Sequence, residues 1–472
     1  MTSVNAIPED VKTIHLIAVC GTAMGALACM LKDLGYEVTG SDAHVYPPMS
    51  TFLEGKGISI AKGFDAKNLA YRPDLVVVGN AVRRDNPESL AVEEMGLSYC
   101  SMPQALNRFL VGDKEALVVT GTHGKTTTSS LLAWILQSAG LDPSFMIGGI
   151  LRNFDGNYRL GKGRYVVLEG DEYDTAYFDK HSKFLHFDPR VAILTSVEFD
   201  HADIFTDLAH VKSAFAGLLK KISPEALVVA WDDDPNIDDL LMGKDLPVCR
   251  YGQRAGSAWR IEDASVSPPW NCFDVSHKGK KFGKFRMSAP GAHNRLNALA
   301  AMAAAHEIGV SKDSMSAALE TYEGVKRRQE VRGVKNNVTV IDDFAHHPTA
   351  VRETIRAVRP FYPEGRLIAV FEPRTNTSMR DVFQADYARA FDGADLICIR
   401  QPPLLKKIPA DRRFSSEMLV ADLSRQGKQA LYFPDTESII DFVVACAKPG
   451  DAVLVMSNGG FDNIHERLLQ AL

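Results

Sequence analysis

The stretch Leu117-Val-Val-Thr-Gly-Thr-His-Gly-Lys-Thr-Thr-Thr128 decides how this chain is read. A short apolar run with the pattern of a buried strand ends at Gly121. After Gly124-Lys125-Thr126 the chain resumes with helical spacing over Thr127–Ala139. Glycines at such a junction let backbone N–H groups close around phosphate oxygens, and the helix start adds the positive end of its dipole. Lys125 supplies a cation for the β- and γ-phosphates, and the Thr126 hydroxyl suits Mg2+. With Thr122 and Thr127 beside them, Gly121, Gly124, Lys125 and Thr126 form a nucleotide-phosphate loop. A chance Gly-Lys-Thr on a surface turn would lack the flanking strand and helix.

Outward from this loop, short apolar runs alternate with helical stretches. The expected strands are Ile14–Cys20, Leu75–Val78, Leu117–Thr120, Tyr165–Leu168, Val191–Thr195, Val338–Ile341, Arg366–Phe371, Asp395–Ile399 and Ala452–Met456. The expected helices include Met24–Leu34, Thr127–Ala139, Leu208–Lys221, Arg295–Ile308, Ala350–Val358 and Ser416–Arg425. This alternation predicts α/β units with parallel sheets, and ligands at the carboxyl ends of the strands. At 472 residues the chain is long enough for three domains. Breaks before Glu115 and at Gly324 divide it into 1–112, 113–323 and 324–472. The segment Gly252–Gly283 fits neither period and reads as short antiparallel strands or loop.

The 46% hydrophobic and 24% charged fractions are those of a globular protein. A net charge of −6 gives no basic field for nucleic acid or anionic lipid. Seven cysteines without a CxxC pair point to reduced thiols rather than a disulfide or metal framework. The first residues, Met1 to Lys12, lack a signal-type apolar run, and nothing approaches the roughly 18 apolar residues of a membrane span. A cytoplasmic monomer or homodimer is expected, with small-molecule substrates and no membrane or nucleic-acid partner.

Four further motifs carry chemistry. Glu169-Gly-Asp-Glu-Tyr-Asp174 follows an apolar run, and carboxylates clustered at a strand end call for cations, with oxygen ligands suited to Mg2+. An Asp-His pair lies in Phe199-Asp-His-Ala-Asp203, and Gly291-Ala-His-Asn-Arg-Leu-Asn297 opens an alanine-rich helix whose Asn294 could alternatively be its N-cap. Ile341-Asp-Asp-Phe-Ala-His-His-Pro-Thr349 ends a strand, where Asp342 or Asp343 and His346 or His347 meet a cleft. One histidine there could accept a proton from an attacking amine, or both could simply cap the helix. In the first unit, Val19-Cys-Gly-Thr-Ala-Met-Gly25 offers a diphosphate-binding turn without the full GxGxxG pattern.

In this order the motifs resemble the Mur ligase family, ATP-dependent ligases that build the peptide of bacterial cell-wall precursors, and the resemblance spans essentially the whole chain. It implies a Rossmann-like N-terminal domain, a P-loop central ATPase domain and a Rossmann-like C-terminal domain. It implies ATP and Mg2+ as cofactors, with Thr126, Glu169 and His201 at the metal. His293, Asn294, Asn297 and Asp342 would serve the nucleotide, and Arg327 the γ-phosphate after domain closure. Lys125, His201, His346 and Arg327 would carry the chemistry. Gly21, Thr22, Met24, Ser41, Asp42 and Asn80 would hold the UDP-muramate, with His123, Glu172, Tyr173 and Asp174 nearer the reacting end. Arg374, Asn376 and Ser378 would meet carboxylates of the incoming peptide.

The family's carbamylated lysine has no counterpart: Ala214-Phe-Ala216 stands there, and Lys212 is out of register. That leaves the second metal's ligands open and points to a muramate-type branch. The stretches Ser41–Thr51, Asp171–Lys180, Phe371–Ser378 and Ser457–Phe461 resemble members that join UDP-N-acetylmuramate to a ready-made tripeptide, L-Ala-γ-D-Glu-meso-diaminopimelate, in cell-wall recycling. The alternative is addition of L-alanine to the same muramate. Either reaction would run through an acyl-phosphate. A nucleotide-switched binding protein is the reading from another class, but it needs neither the Asp-His pair nor the first-unit turn.

Overall fold

The carboxyl ends of three separate sheets supply loops to one cleft. A computed structural model describes residues 5–45 and 49–472; Met1–Val4, and Tyr46-Pro-Pro48 of the first-unit stretch, lie outside them.

The first sheet has five parallel strands in the order Ser59–Lys62, Glu37–Asp42, Thr13–Ile17, Leu75–Val78, Tyr99–Ser101. The chain starts in the middle and builds to one side, then the other, so a crevice opens above the central strand. That strand stops at Ile17, short of the expected Cys20. Ala18 takes a φ of 66°, and the N–H groups of Ala18 and Val19 both bond to the Ser41 carbonyl. The chain is thereby turned into the helix Thr22–Asp33.

The second sheet has ten strands. At its heart Glu115–Thr120 lies parallel between Pro189–Leu194 and Tyr165–Gly170. The phosphate loop therefore emerges beside the acidic segment on one side and the segment after Leu194 on the other. Gly252–Gly283 resolves as strands: Trp259–Ser267, Trp270–His277 and Lys280–Met287 form an antiparallel meander at one edge. The strands Ser144–Leu151, Leu227–Trp231 and Val248–Gly252 were not expected; Gly148-Gly149 interrupts the apolar pattern of the first. The helix Ala292–Glu307 is buried almost continuously from Asn297 to Ala305 and packs on the phosphate-loop helix Lys125–Ser138. Its alanines permit that close approach, and a helix apolar on every face belongs inside.

The third sheet orders Glu330–Lys335, Val338–Asp343, Ala452–Met456, Leu367–Phe371, Leu396–Arg400 and Ala430–Phe433, with only the first strand antiparallel. The chain enters this unit along the central sheet, where Arg152 N–H bonds to Gly324 O and Lys326 N–H to Ile150 O. Among the described residues no helix is long and apolar enough to cross a membrane.

Burial sets where substitutions are felt. Ile193, fully buried in the central strand Pro189–Leu194, should cost about 2–5 kcal/mol when replaced by alanine. Val331, half exposed on the edge strand, should cost within about 0.5 kcal/mol. Urea-denaturation midpoints of Ile193→Ala and Val331→Ala would check this; equal shifts would contradict the burial argument.

Candidate active site

The cleft holds about 1300 Å3, more than one drug-sized ligand occupies, and residues of all three units line it. Its floor is the phosphate loop. Gly121 and Gly124 have φ of 131° and 79°. A Cβ at Gly121 would collide with the Thr195 hydroxyl, and one at Gly124 would lie 2.6 Å from Asn297 Oδ1. Thr195 Oγ1 donates to the carbonyls of Thr120 and His123 at 3.1 and 2.5 Å, and Ser196 Oγ accepts from His123 N–H. The loop is thus shaped by its neighbour strand before any nucleotide arrives.

Lys125 is buried. Its ammonium donates to Gly121 O at 2.6 Å and to Glu172 Oε2 at 2.8 Å. Burial opposes this charge, but Glu172 and Asp171 outweigh it and push the ammonium up to about 12. Glu172 is itself buried and absent from the cleft lining, so the expected substrate contact is instead the counterion of Lys125. Its other oxygen faces His201 Nε2 at 3.4 Å. Burial works against charge on His201, yet Glu172 and Asp200 hold it above its usual range.

Thr126 Oγ1 donates to Glu169 Oε1 at 2.9 Å, and Glu169 Oε2 accepts Gly148 N–H at 2.8 Å. Burial and the adjacent Asp171 raise the Glu169 carboxyl above its ordinary range. A hydroxyl and a carboxylate short of compensating charge form an oxygen set that fits Mg2+. His201 lines the same cleft but turns to Glu172, and does not join Thr126 and Glu169. Tyr173 lines the cleft with its hydroxyl on Lys183, whereas Asp174 pairs with Lys180 outside it. Lys212 pairs with Asp239 away from the cleft.

At the far end, the N-cap of the alanine-rich helix is Gly291, so Asn294 is not its cap. Asn294 Nδ2 donates to Pro290 O and to Gln329 Oε1, and Asn297 Nδ2 to Asn294 Oδ1. Gln329 Nε2 lies 3.2 Å from His293 Nε2, while His293 Nδ1 is buried without a partner. Burial presses His293 down to about 4, leaving a neutral imidazole with one unmet polar atom in the cleft.

In the third unit the strand's two-residue period decides between neighbours. Asp342 is buried outside the lining, against Arg332, His465 and the Arg327 Nε at 3.5 Å, so it does not meet the nucleotide as expected; Asp343 lines the cleft. His346 and His347 both line it. His346 Nδ1 donates to Phe344 O at 3.0 Å, leaving Nε2 unprotonated, 3.9 Å from Asp200 Oδ2. Burial lowers the His346 pKa below its ordinary value, against the pull of Asp200. Arg327, at a φ of 63°, also lines the cleft, but its guanidinium donates to Ser457 O and Gly459 O at 2.6 Å, within its own unit. Of the peptide-side residues, Asn376 bonds to Asp203, and Ser378 is buried against Thr375. Arg374 is partly exposed and held beside Glu372. Of this loop Thr375 lines the cleft, with its hydroxyl bonded to Ser378.

In the first unit Thr22 and Asn80 line the cleft. Gly21 caps the helix start with no side-chain bond. Met24 is buried, and Ser41 is fully buried with its hydroxyl donated to Glu88, so neither side chain is available to a ligand. Asp42 accepts the N–H groups of Cys20 and His44 at 2.9 Å and fixes the turn. Sequence reasoning missed Glu198 and Gln329, which join segments far apart in the chain.

Comparison with known proteins agrees with this architecture. Residues 13–113 match the description "Mur ligase family, catalytic domain", 119–305 "Mur ligase middle domain", and 327–459 "Mur ligase, glutamate ligase domain". The chain is 41% identical to the UDP-N-acetylmuramate--L-alanyl-gamma-D-glutamyl-meso-2,6-diaminoheptandioate ligase of Haemophilus influenzae, over 98% of this chain and 99% of that one. It is 33% identical to the UDP-N-acetylmuramate--L-alanine ligase of Desulforamulus reducens over 98% of each. A solved murein peptide ligase from Psychrobacter arcticus superposes with a TM-score of 0.72 at 36% identity, covering 98% of both chains. The alanine ligase of Thermotoga maritima gives 0.81 at 27% identity, covering 98% of this chain and 99% of that one. The chain belongs to the Mur ligase family.

Proposed function

We propose that this chain is a cytoplasmic, ATP-dependent ligase that joins the lactyl carboxylate of UDP-N-acetylmuramate to the amine of L-Ala-γ-D-Glu-meso-diaminopimelate. The observation that carries this reading is the 41% identity, end to end, with a ligase of that name, against 33% for an alanine-adding ligase over the same span. The cleft supplies chemistry to match. The phosphate loop, with Lys125, receives the ATP phosphates. Thr126 and Glu169 would hold Mg2+, whose charge screens the repulsion between the γ-phosphate and the attacking carboxylate. His293 and Asn294 offer polar atoms to the nucleotide base and ribose. The first-unit turn at Gly21-Thr22, with Asn80, would face the uridine diphosphate.

The muramate carboxylate attacks the γ-phosphate, giving an acyl-phosphate and ADP. The peptide's amine then attacks the acyl carbon, and phosphate leaves. His346 would take the amine's proton through Nε2, since Nδ1 carries its own proton toward Phe344 O. Arg327 would have to leave the carbonyls of Ser457 and Gly459 to reach the transferring phosphate. Arg374, on the loop after Leu367–Phe371, would meet a carboxylate of the peptide.

Phosphate release from ATP with UDP-N-acetylmuramate should be fast with the tripeptide and slow with L-alanine. The reverse preference would make this an alanine-adding enzyme, and no turnover with either would favour a nucleotide-switched binding protein. Lys125→Ala would leave the buried Glu172 carboxylate with His201 as its remaining cation, at a cost of up to about 3–5 kcal/mol. The double variant Lys125→Met/Glu172→Gln should keep its circular dichroism yet lose about 10²–10³-fold or more in kcat; near-normal turnover would refute the phosphate-loop assignment. Because only neutral His346 can accept a proton, and burial lowers its pKa, the acid limb of kcat against pH should lie below about 6.5. His346→Gln should remove that limb and lower kcat by about 10²–10⁴-fold.

A further inference from the structure

One compact cluster takes no part in the reaction outlined above. His123 comes from the phosphate loop, Glu198 from the segment after Pro189–Leu194, and His347 from the N-cap of the helix Pro348–Val358. His123 Nε2 lies 3.2 Å from Glu198 Oε2, and His347 Nδ1 lies 3.7 Å from the same oxygen. All three ligand atoms fall within 4.8 Å of one another.

We propose that His123, Glu198 and His347 bind a transition-metal cation of the zinc class, bridging the phosphate loop and the third unit, apart from the Thr126–Glu169 pair. Bonds of about 2.0–2.2 Å in a tetrahedral arrangement put ligand atoms roughly 3.3–3.6 Å apart, and two of the three separations are already close to that. The donor set, two imidazoles and one carboxylate, suits zinc, whereas Mg2+ prefers oxygen. It leaves a fourth position open, and all three residues line the cleft.

The surroundings orient His347 and Glu198 as metal ligands are usually oriented, whereas His123 Nε2, which donates to Glu198, would give up its proton to a cation. His347 Nε2 lies 3.3 Å from the carbonyl of Phe199, which can only accept, so Nε2 carries the proton and Nδ1 presents its lone pair. Nδ1 takes a capping bond from Thr349 N–H at 3.2 Å, which a cation would displace. Thr349 Oγ1 donates to Glu198 Oε2 at 2.9 Å and fixes that carboxylate. Burial and the neighbouring His123 press His347 down to about 4. Although burial opposes its charge, Glu198 is brought down to about 2, chiefly by His123 and His347. Phe383, against the His347 ring at 4.6 Å, covers one side.

The test is titration of tag-free, chelator-treated full-length protein with ZnCl2 alone, in excess Mg2+, by calorimetry, with the Co2+ visible spectrum as a second readout. One equivalent should bind with a micromolar or tighter Kd, and Co2+ should give the intense bands of a four- or five-coordinate site. Glu198→Gln and His347→Gln should each weaken binding by about tenfold or more, and Glu169→Gln should leave it unchanged. His123→Gln, which spares the helix cap, serves if His347→Gln fails to fold. No binding in excess Mg2+, or binding lost in Glu169→Gln but kept in Glu198→Gln, would overturn the proposal; the second result would put zinc at the magnesium pair.

Discussion

The buried pair between Lys125 and Glu172 is the constraint on which the cleft depends. Taking two charges out of water costs several kcal/mol per ion, and only close geometry with further hydrogen bonds repays it. Here the ammonium also donates to the Gly121 and Thr122 carbonyls, and Glu172 faces His201. That arrangement exists because Glu115–Thr120 lies between Tyr165–Gly170 and Pro189–Leu194, so loops from three strands converge at one level. A cation held this way keeps the phosphate loop in shape without nucleotide. When phosphate arrives, the ammonium is already charged and held at the loop, which is electrostatic preorganisation.

The same convergence explains what was legible in the sequence. Strand–loop–helix punctuation at Gly121–Thr126, the helix Leu208–Lys221 and the strand Ala452–Met456 depend on local pattern, and the structure has them where the pattern put them. What stayed hidden was the direction of individual side chains. Asp342 and Asp343 are adjacent in a strand, so only one can face the cleft. The two-residue period says as much, but not which; the answer lies in Arg332 and His465, brought in by other elements. Ser41 likewise reads as a pocket residue until Glu88, 47 positions on, proves to hold its hydroxyl. Glu198 and Gln329 offer no local pattern at all, because their partners are 75 and 36 residues away.

The segment Ser196–Asp203 is the point where units two and three meet. On one side it bonds to the phosphate loop, through Ser196 to His123 and through Glu198 to Thr122. On the other it bonds to the third unit, through Phe199 O to His347, Ala202 N–H to Thr377 and Asp203 to Asn376. A shift of the phosphate loop is thus felt by the third unit through one short stretch. Arg327 and Gln329, both with positive φ, lie where the chain passes into that unit. Strained backbone at such a junction marks a conformation that the surrounding contacts impose.

On the proposed reaction, choice of the incoming amine would fall to the third unit, because the other two would be taken up with nucleotide and muramate. Glu372 is fully buried and receives Ser457 Oγ at 2.7 Å, with Arg400 and Arg374 on its two oxygens. Arg400 is also bound by Asp462. Arg374 lies over Gly459, where any Cβ would strike its side chain, and is drawn toward Glu372. L-alanine carries one carboxylate close to its amine, whereas the tripeptide carries others several bonds away. If Arg374 meets the peptide as proposed, a guanidinium held by Glu372 would reward the distant carboxylate more than the near one. Discrimination on this basis depends on the rigidity given by Glu372, not on arginine's charge alone, because a mobile cation would find either carboxylate.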